Sequence, residues 1–272
     1  MNNRIILSKN GTLKDLSLLV ASYHTGSALV EIEALNDFIY ISSRLPFNNI
    51  YLKLSQGNTQ LSEMGIEYYG NNGWIEAVEV LDETLCMTKS GHVQFTPNKN
   101  HPWKMASTDE ITELNTKVIY DQYWIRIKSS IDLSPVKIEW VGNLFSSDQD
   151  LGTEFPDLLR STTLTSFKVG KTNWQEQHAL AAAVIVGDLV NKGAITGVEQ
   201  ILNWRDFTNA SVSKVSEIVF TSFGDDYIDN VISSRREYSE RMSKRLNRID
   251  KNNNAIEDKE ERETSNVGYF TR

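Results

Sequence analysis

At 272 residues, 40% hydrophobic and 24% charged, the chain has the composition of a globular protein and the length for one large domain or two ordinary ones. A formal net charge of −8 argues against a nonspecific duplex-DNA binder, which needs a basic footprint, and leaves room for a conduit whose negative wall does not stick to DNA. One cysteine, Cys86, excludes an internal disulfide and a cysteine-rich metal site, and the apolar runs are too short for a signal peptide or a membrane span.

From Arg4 to about Leu144 the pattern is strand-like. Segments 39–41, 50–54, 66–69, 93–95, 123–128 and 136–141 are short, often alternating, and rich in β-branched and aromatic residues. Turn chemistry separates them at Gly70-Asn-Asn-Gly73, Lys89-Ser-Gly91 and Pro97-Asn-Lys-Asn100. This predicts an antiparallel β-sandwich over 1–145, with Cys86 a buried structural thiol in an apolar strand-like run. In it, Trp74 and Trp124 anchor the core or its rim, and Arg126 faces Asp82 across the sheet.

Residues 146–172 read as a polar linker. Helical periodicity then runs over 173–250. Asn173 with Glu176 forms a capping pair, and Trp174, His178, Ala181, Ile185 and Leu189 share one face until Lys192-Gly193 ends the helix. Thr196 with Glu199 is a second capping box before Ile201, Leu202 and Trp204. A third helix spans about 208–223, and a fourth begins after Gly224, with an apolar face through Tyr227, Ile228, Val231, Ile232, Tyr238, Met242, Leu246 and Ile249. Four short helices predict a small bundle. The fold class is therefore α+β in two domains, a sandwich followed by a small α-helical bundle, closed by an acidic loop and an extended tail over 251–272.

The loop Asp250–Glu261 resembles an EF-hand calcium loop. Asp250, Asn252 and Asn254 would be ligands, with Asp258 through water, Glu261 closing as a bidentate carboxylate, and Ile256 giving its backbone carbonyl. Ala255 stands where that loop has glycine, and Glu257 where it has an apolar residue. A solvated polar turn fits the same residues, and no cofactor is required by either reading. For catalysis the sequence offers nothing: His24, His92, His101 and His178 are scattered, and no nucleophile elbow, P-loop or dinucleotide fingerprint is present. The expectation is a protein that is not an enzyme.

Two blocks carry a resemblance. Tyr68-Tyr-Gly-Asn-Asn-Gly-Trp74, Val80-Leu-Asp-Glu-Thr84, Ser90-Gly-His-Val-Gln-Phe95, Pro97, Trp103 and Tyr123-Trp-Ile-Arg-Ile127 together resemble a β-sandwich module of tail, baseplate and neck proteins of tailed bacteriophages. The helical block is similar in layout to the adaptor proteins that dock as a ring under the phage portal: Trp174, the Ala-rich helix 179–189, Gly193-Ala-Ile195, the helix holding Ala210 and Ser216, and the long Arg/Tyr-bearing helix. Unlike a minimal adaptor, this chain carries a whole β domain before its helices.

The resemblance implies a structural virion protein at the head-to-tail neck, assembled in the host cytoplasm as a homo-oligomeric ring. Its partners would be the portal, tail or neck proteins and the capsid vertex, with DNA passing through without specific binding and no membrane involved. The interface residues would be Tyr227, Arg235, Arg236, Tyr238, Arg241, Met242, Arg245, Tyr269, Phe270 and Arg272. From a different class, a carbohydrate-binding module of a phage tail or baseplate would use Trp74, Trp103 and Tyr123.

Overall fold

A computed structural model describes residues 4–23, 26–33, 36–115, 118–243 and 248–258. The chain is α+β and divides into two units. One holds residues 1–142 with 250–256, and the other holds 143–249 with 257–272.

In the β unit, one antiparallel sheet takes β1 (Arg4–Lys9), β2 (Thr12–Asp15), β4 (Phe38–Ser43), β6 (Met64–Gly70), β7 (Gly73–Glu76) and β10 (Tyr123–Ser129), in the order β2-β1-β4-β10-β6-β7. The other takes β3 (Ala28–Val30), β5 (Asn49–Gln56), β8 (Glu79–Asp82), β9 (Gly91–Thr96) and β11 (Val136–Gly142), in the order β3-β11-β5-β9-β8. A single helical turn, α1 (Ser17–Val20), follows β2.

Register explains why the first sheet packs so firmly. Ile5 pairs with Ile41, Ile41 with Ile125, Ile125 with Tyr68 and Tyr68 with Ile75, so one row across five strands is apolar. That row and its neighbour (Leu7, Ile39, Ile127, Ile66) face Val30, Ile50, Leu52, Val93, Phe95, Val136 and Ile138 of the second sheet in one core. Successive side chains alternate faces, so the residues between them point outward. There Ile6, Tyr40 and Trp124 form a second cluster with Ala106, Ile111 and Leu114 from the segment before β10. Trp124 is fully buried and its indole N–H donates to the Ala106 carbonyl at 3.1 Å.

Two sequence expectations in this unit are corrected. Arg126 pairs with Glu67, its neighbour in register on β6, and its guanidinium lies 4.5 Å from the Phe38 ring and 4.7 Å from the Trp74 ring. Asp82 belongs to the other sheet and accepts from Thr84 N, Thr84 Oγ1 and Cys86 N. Cys86 is buried, but it sits in a turn where Leu85, Cys86 and Met87 adopt φ of 52°, 53° and 63° in succession. Left-handed backbone costs a non-glycine residue on the order of ~1 kcal/mol, and the Asp82 carboxylate holds the turn there. Burial pushes the Cys86 thiol pKa up, as an inert thiol requires.

The helical unit begins earlier than its composition suggests. Residues 146–172, expected as a linker, contain α2 (Asp148–Glu154), a 3₁₀ turn at Pro156–Leu159 and α3 (Ser161–Phe167). Ser147 and Asp150 form a reciprocal capping box at the start of α2, while Leu151, Leu158 and Leu164 are buried with Trp174. These leucines, with partly buried Phe155, Leu159 and Phe167, are too irregularly spaced to show periodicity, yet they dock two short helices.

The later helices fall near their expected bounds: α4 (Gln175–Asn191), α5 (Thr208–Ser222) and α6 (Ile228–Ser243). Gly193 (φ 68°) and Gly224 (φ 86°) supply the left-handed residues that follow α4 and α5. The expected capping box at Thr196 and Glu199 is replaced. The Gln200 side-chain oxygen accepts from Thr196 N at 2.6 Å and Thr196 Oγ1 at 3.0 Å, and the segment forms 3₁₀ turns at Val198–Gln200 and Trp204–Phe207. No helix among the described residues is long and apolar enough to cross a membrane.

Truncating Trp124 to alanine removes the ring common to the outer cluster of the first sheet. We expect a loss of about 3–5 kcal/mol in the denaturant unfolding of the β unit, against less than about 1 kcal/mol for Leu61→Ala, whose side chain is exposed.

Candidate functional site

The helical unit is organised on α5, nine of whose fifteen residues are buried. Small serines let neighbours approach: Ser216 Oγ donates to Ser234 Oγ of α6 at 2.9 Å, and Ser211 and Ser213 are fully buried. A polar cluster ties three helices together. Glu217 of α5 accepts from Lys214 at 2.5 Å and from Arg235 of α6 at 2.9 Å. Lys214 Nζ lies 4.1 Å from the centre of the Tyr238 ring, and the Tyr238 hydroxyl donates to Asp188 of α4. Burial and the Asp188 carboxylate both push the Tyr238 phenol pKa upward, so it stays a donor. Burial by itself would raise the Glu217 pKa, but the hydrogen bonds from Lys214 and Arg235 outweigh it and hold the carboxyl below its ordinary value.

At the other end of α5, Ser146 Oγ lies 2.7 Å from His178 Nδ1 and 2.6 Å from Ser211 Oγ, while His178 Nε2 lies 3.2 Å from Asp148 Oδ1. Asp148 also accepts from Trp174 N at 3.1 Å. Serine, histidine and aspartate thus stand in line, a juxtaposition that scattered sequence positions do not reveal. The imidazole and the serine are buried, and the serine hydroxyl is already hydrogen-bonded to a second serine. Their geometry locks the entry into the helical unit against α4 and α5.

The residues expected at an interface divide into three groups. Tyr238 and Met242 are buried in the unit's own core, and Arg241 is held by Glu154 (2.7 and 3.1 Å) and by the Asn209 carbonyl (2.8 Å). These three therefore serve the fold, because the face of α6 that carries them packs inward. Tyr227, Arg235 and Arg236 are exposed, with Tyr227 stacked on Phe220 at 5.8 Å. Arg245, Tyr269, Phe270 and Arg272 lie outside the described residues.

Beside exposed Asp229, Arg235, Arg236, Ser239 and Glu240 on α6, apolar residues also remain outward on α4 and α6. Leu180 is 51% exposed and Val190 42%, on the face of α4 opposite buried His178, Ile185 and Leu189. Ile228 is 53% and Ile232 58% exposed on the flank of α6 away from Val231, Ser234 and Tyr238. Sequence reading placed Ile228 and Ile232 in the buried stripe of their helix; they lie beside it instead.

Asp250 is fully buried and accepts from Asn254 N (3.2 Å) and Ala255 N (2.7 Å), and Asn254 Oδ1 accepts from Ile256 N (2.7 Å). Ala255 adopts φ 59°, the left-handed turn expected of glycine at that position. These oxygens brace the loop on its own N–H groups. Among the described residues no three acidic, histidine or cysteine side chains converge to hold a metal; Glu261 lies outside them. Trp74, Trp103 and Tyr123 are each half-buried against neighbouring rings, Trp103 on Tyr68 at 5.0 Å and Trp74 on Tyr69 at 5.3 Å. Compared with protein-family models, curated proteins and solved structures, the chain matches none.

Two measurements check the buried network. His178→Ala leaves Ser146 and Asp148 without their partner and should cost the helical unit about 2–4 kcal/mol in urea unfolding. For Glu217, a folded pKa below the ordinary value means its contribution is complete above that value and is lost as pH falls through the folded one. Glu217→Gln should therefore lower stability at about pH 7, with the difference from the parent protein shrinking towards about pH 3.

Proposed function

We propose that this chain is a structural virion protein of a tailed phage. It forms a ring adaptor at the head-to-tail interface, joins portal to tail, and continues the DNA channel. The observation that carries this reading is the outward apolar surface of the helical unit. Leu180 and Val190 on α4, and Ile228 and Ile232 on α6, form two distinct exposed stripes on a unit whose core is already closed. Exposed stripes on different elements suit head-to-tail contacts between copies, which close into rings.

Charge and layout support the same reading. A formal charge of −8 suits a wall past which DNA moves without sticking. The order of short helices and a polar C-terminal segment follows the adaptor resemblance, from which the β unit before them departs. Tyr227, Arg235 and Arg236 are the exposed candidates for portal or neighbour contacts, and the segment 263–272 is assigned to the next subunit or the portal. Localisation follows as the virion neck, after assembly in the host cytoplasm.

Deleting residues 263–272 should leave the purified chain folded by circular dichroism while lysates accumulate DNA-filled heads without tails in electron micrographs. Infectious particles at parental titre, or antibody labelling at the tail tip, would overturn the reading.

A further inference from the structure

We infer that α4 of one copy packs antiparallel against α6 of a second copy, with Leu180, Ala183, Gly187 and Val190 meeting Ile228, Ile232, Arg235 and Ser239. This deepens the self-assembly part of the reading above and does not depend on the place of the ring in a virion.

The argument starts from α4 itself. Glu176, Leu180, Ala183, Gly187 and Val190 recur at four- and three-residue steps and therefore share one face. From Gln175 to Asn191 the helix holds no lysine or arginine, and apolar residues occupy its outer side as well as its inner one. A helix apolar all round belongs in an interior. Gly187 adds a second sign. A Cβ placed on it would meet nothing within 4 Å and its φ is not positive, so neither local packing nor backbone conformation asks for glycine. Glycine in mid-helix weakens the helix relative to alanine, and together with Ala183 it leaves a shallow groove into which a neighbouring helix can settle.

The complementary ridge is on α6. Ile228, Ile232, Arg235 and Ser239 recur at four- and three-residue steps, and all are exposed. Laid antiparallel, Ile228 falls opposite Gly187, and Ile232 falls opposite Ala183 and Leu180. Charge then fixes the direction. Arg236, beside the Arg235 that holds Glu217, comes to the end of α4 where Glu176 pairs with Lys171 at 3.5 Å, and Asp225, Asp226 and Asp229 come to its Lys192 end; a parallel arrangement would set the aspartates against Glu176 and Arg236 against Lys192. Antiparallel helices also oppose their dipoles favourably.

The occupant is a second copy because one contact type then covers both exposed stripes on every chain. Pairing α4 with α4 would leave Ile228 and Ile232 in water. Since the two faces differ, each bound copy presents a new α6 face and a new α4 face, so association continues until a ring closes.

The test uses the full chain and a short thiol-reactive crosslinker, with parental Cys86, which is buried, as the unreactive control. Ala183→Cys and Ile232→Cys should each stay monomeric when treated separately, give a covalent dimer when mixed, and give a ladder when combined in one chain. Dimers from Ala183→Cys by itself would show an α4–α4 contact and overturn the inference, as would monomers throughout. Gly187→Leu in the double variant should raise the Tm, since the helix improves, while abolishing the ladder; an unchanged ladder would also overturn it. A ladder together with labelling away from the neck would sink the neck reading and leave this pairing standing. Neck labelling without a ladder from purified particles would do the reverse.

Discussion

The burial of α5 is the constraint on which the helical unit depends. A helix buried along nine of fifteen residues must have neighbours on most of its circumference, and α2, α4 and α6 supply them. Its serines allow close approach but bring hydroxyl groups inside, and each needs a partner. Ser216 finds Ser234, and Ser211 finds Ser146 beside His178. Lys214, Glu217, Tyr238 and Asp188 do the same at higher charge with exposed Arg235 on Glu217, and the hydrogen bonds among them offset the cost of taking Glu217 and Tyr238 out of water. With those neighbours fixed inward, the outer faces of α4 and α6 have no further role inside the unit, and it is there that the apolar residues remain.

The β unit follows a different logic. Its first sheet is buried on both faces, one against the second sheet and one beneath the segment that carries Ala106, Ile111 and Leu114. That doubling explains a row in which Ile6, Tyr40 and Arg126 are consecutive partners, with Arg126 lying between the Phe38 and Trp74 rings while it pairs with Glu67. Burial pushes the Tyr40 phenol up to about 12. Irregularity in this unit falls at turns such as Leu85–Met87 and at the register shifts of the β11–β5 pair.

Much of this was legible beforehand, for stated reasons. Strands 39–41, 50–54, 66–69, 93–95, 123–128 and 136–141 were visible because alternation and β-branching are local properties, and α4, α5 and α6 because their apolar faces repeat every three or four residues. The stretch 146–172 reads as a linker because its apolar residues, Leu151, Phe155, Leu158, Leu159, Leu164 and Phe167, fall in short helices broken at Pro156 and Arg160 and keep no long period. Arg126 was assigned to Asp82 because sequence cannot say which strands share a sheet. The candidate site is legible in part: Tyr238 and Met242 lie in the inward stripe that the periodicity of the fourth helix predicts, Tyr227 of that stripe is exposed, Arg235 and Arg236 are exposed, and Arg241 turns inward to Glu154.

By itself the sequence determined the class of the fold, the order of β4, β5, β6, β9, β10 and β11 and of α4, α5 and α6, and the apolar content of α4, since all of these depend on neighbours within a few residues. Only the tertiary structure decided where the buried stripe of α6 ends, leaving Ile228 and Ile232 outside the core, and that Ser146, His178 and Asp148 meet. The reason is geometric. An amphipathic pattern fixes an apolar arc around a helix, but which part of that arc is covered depends on where distant segments pack, and no local property of the chain encodes that.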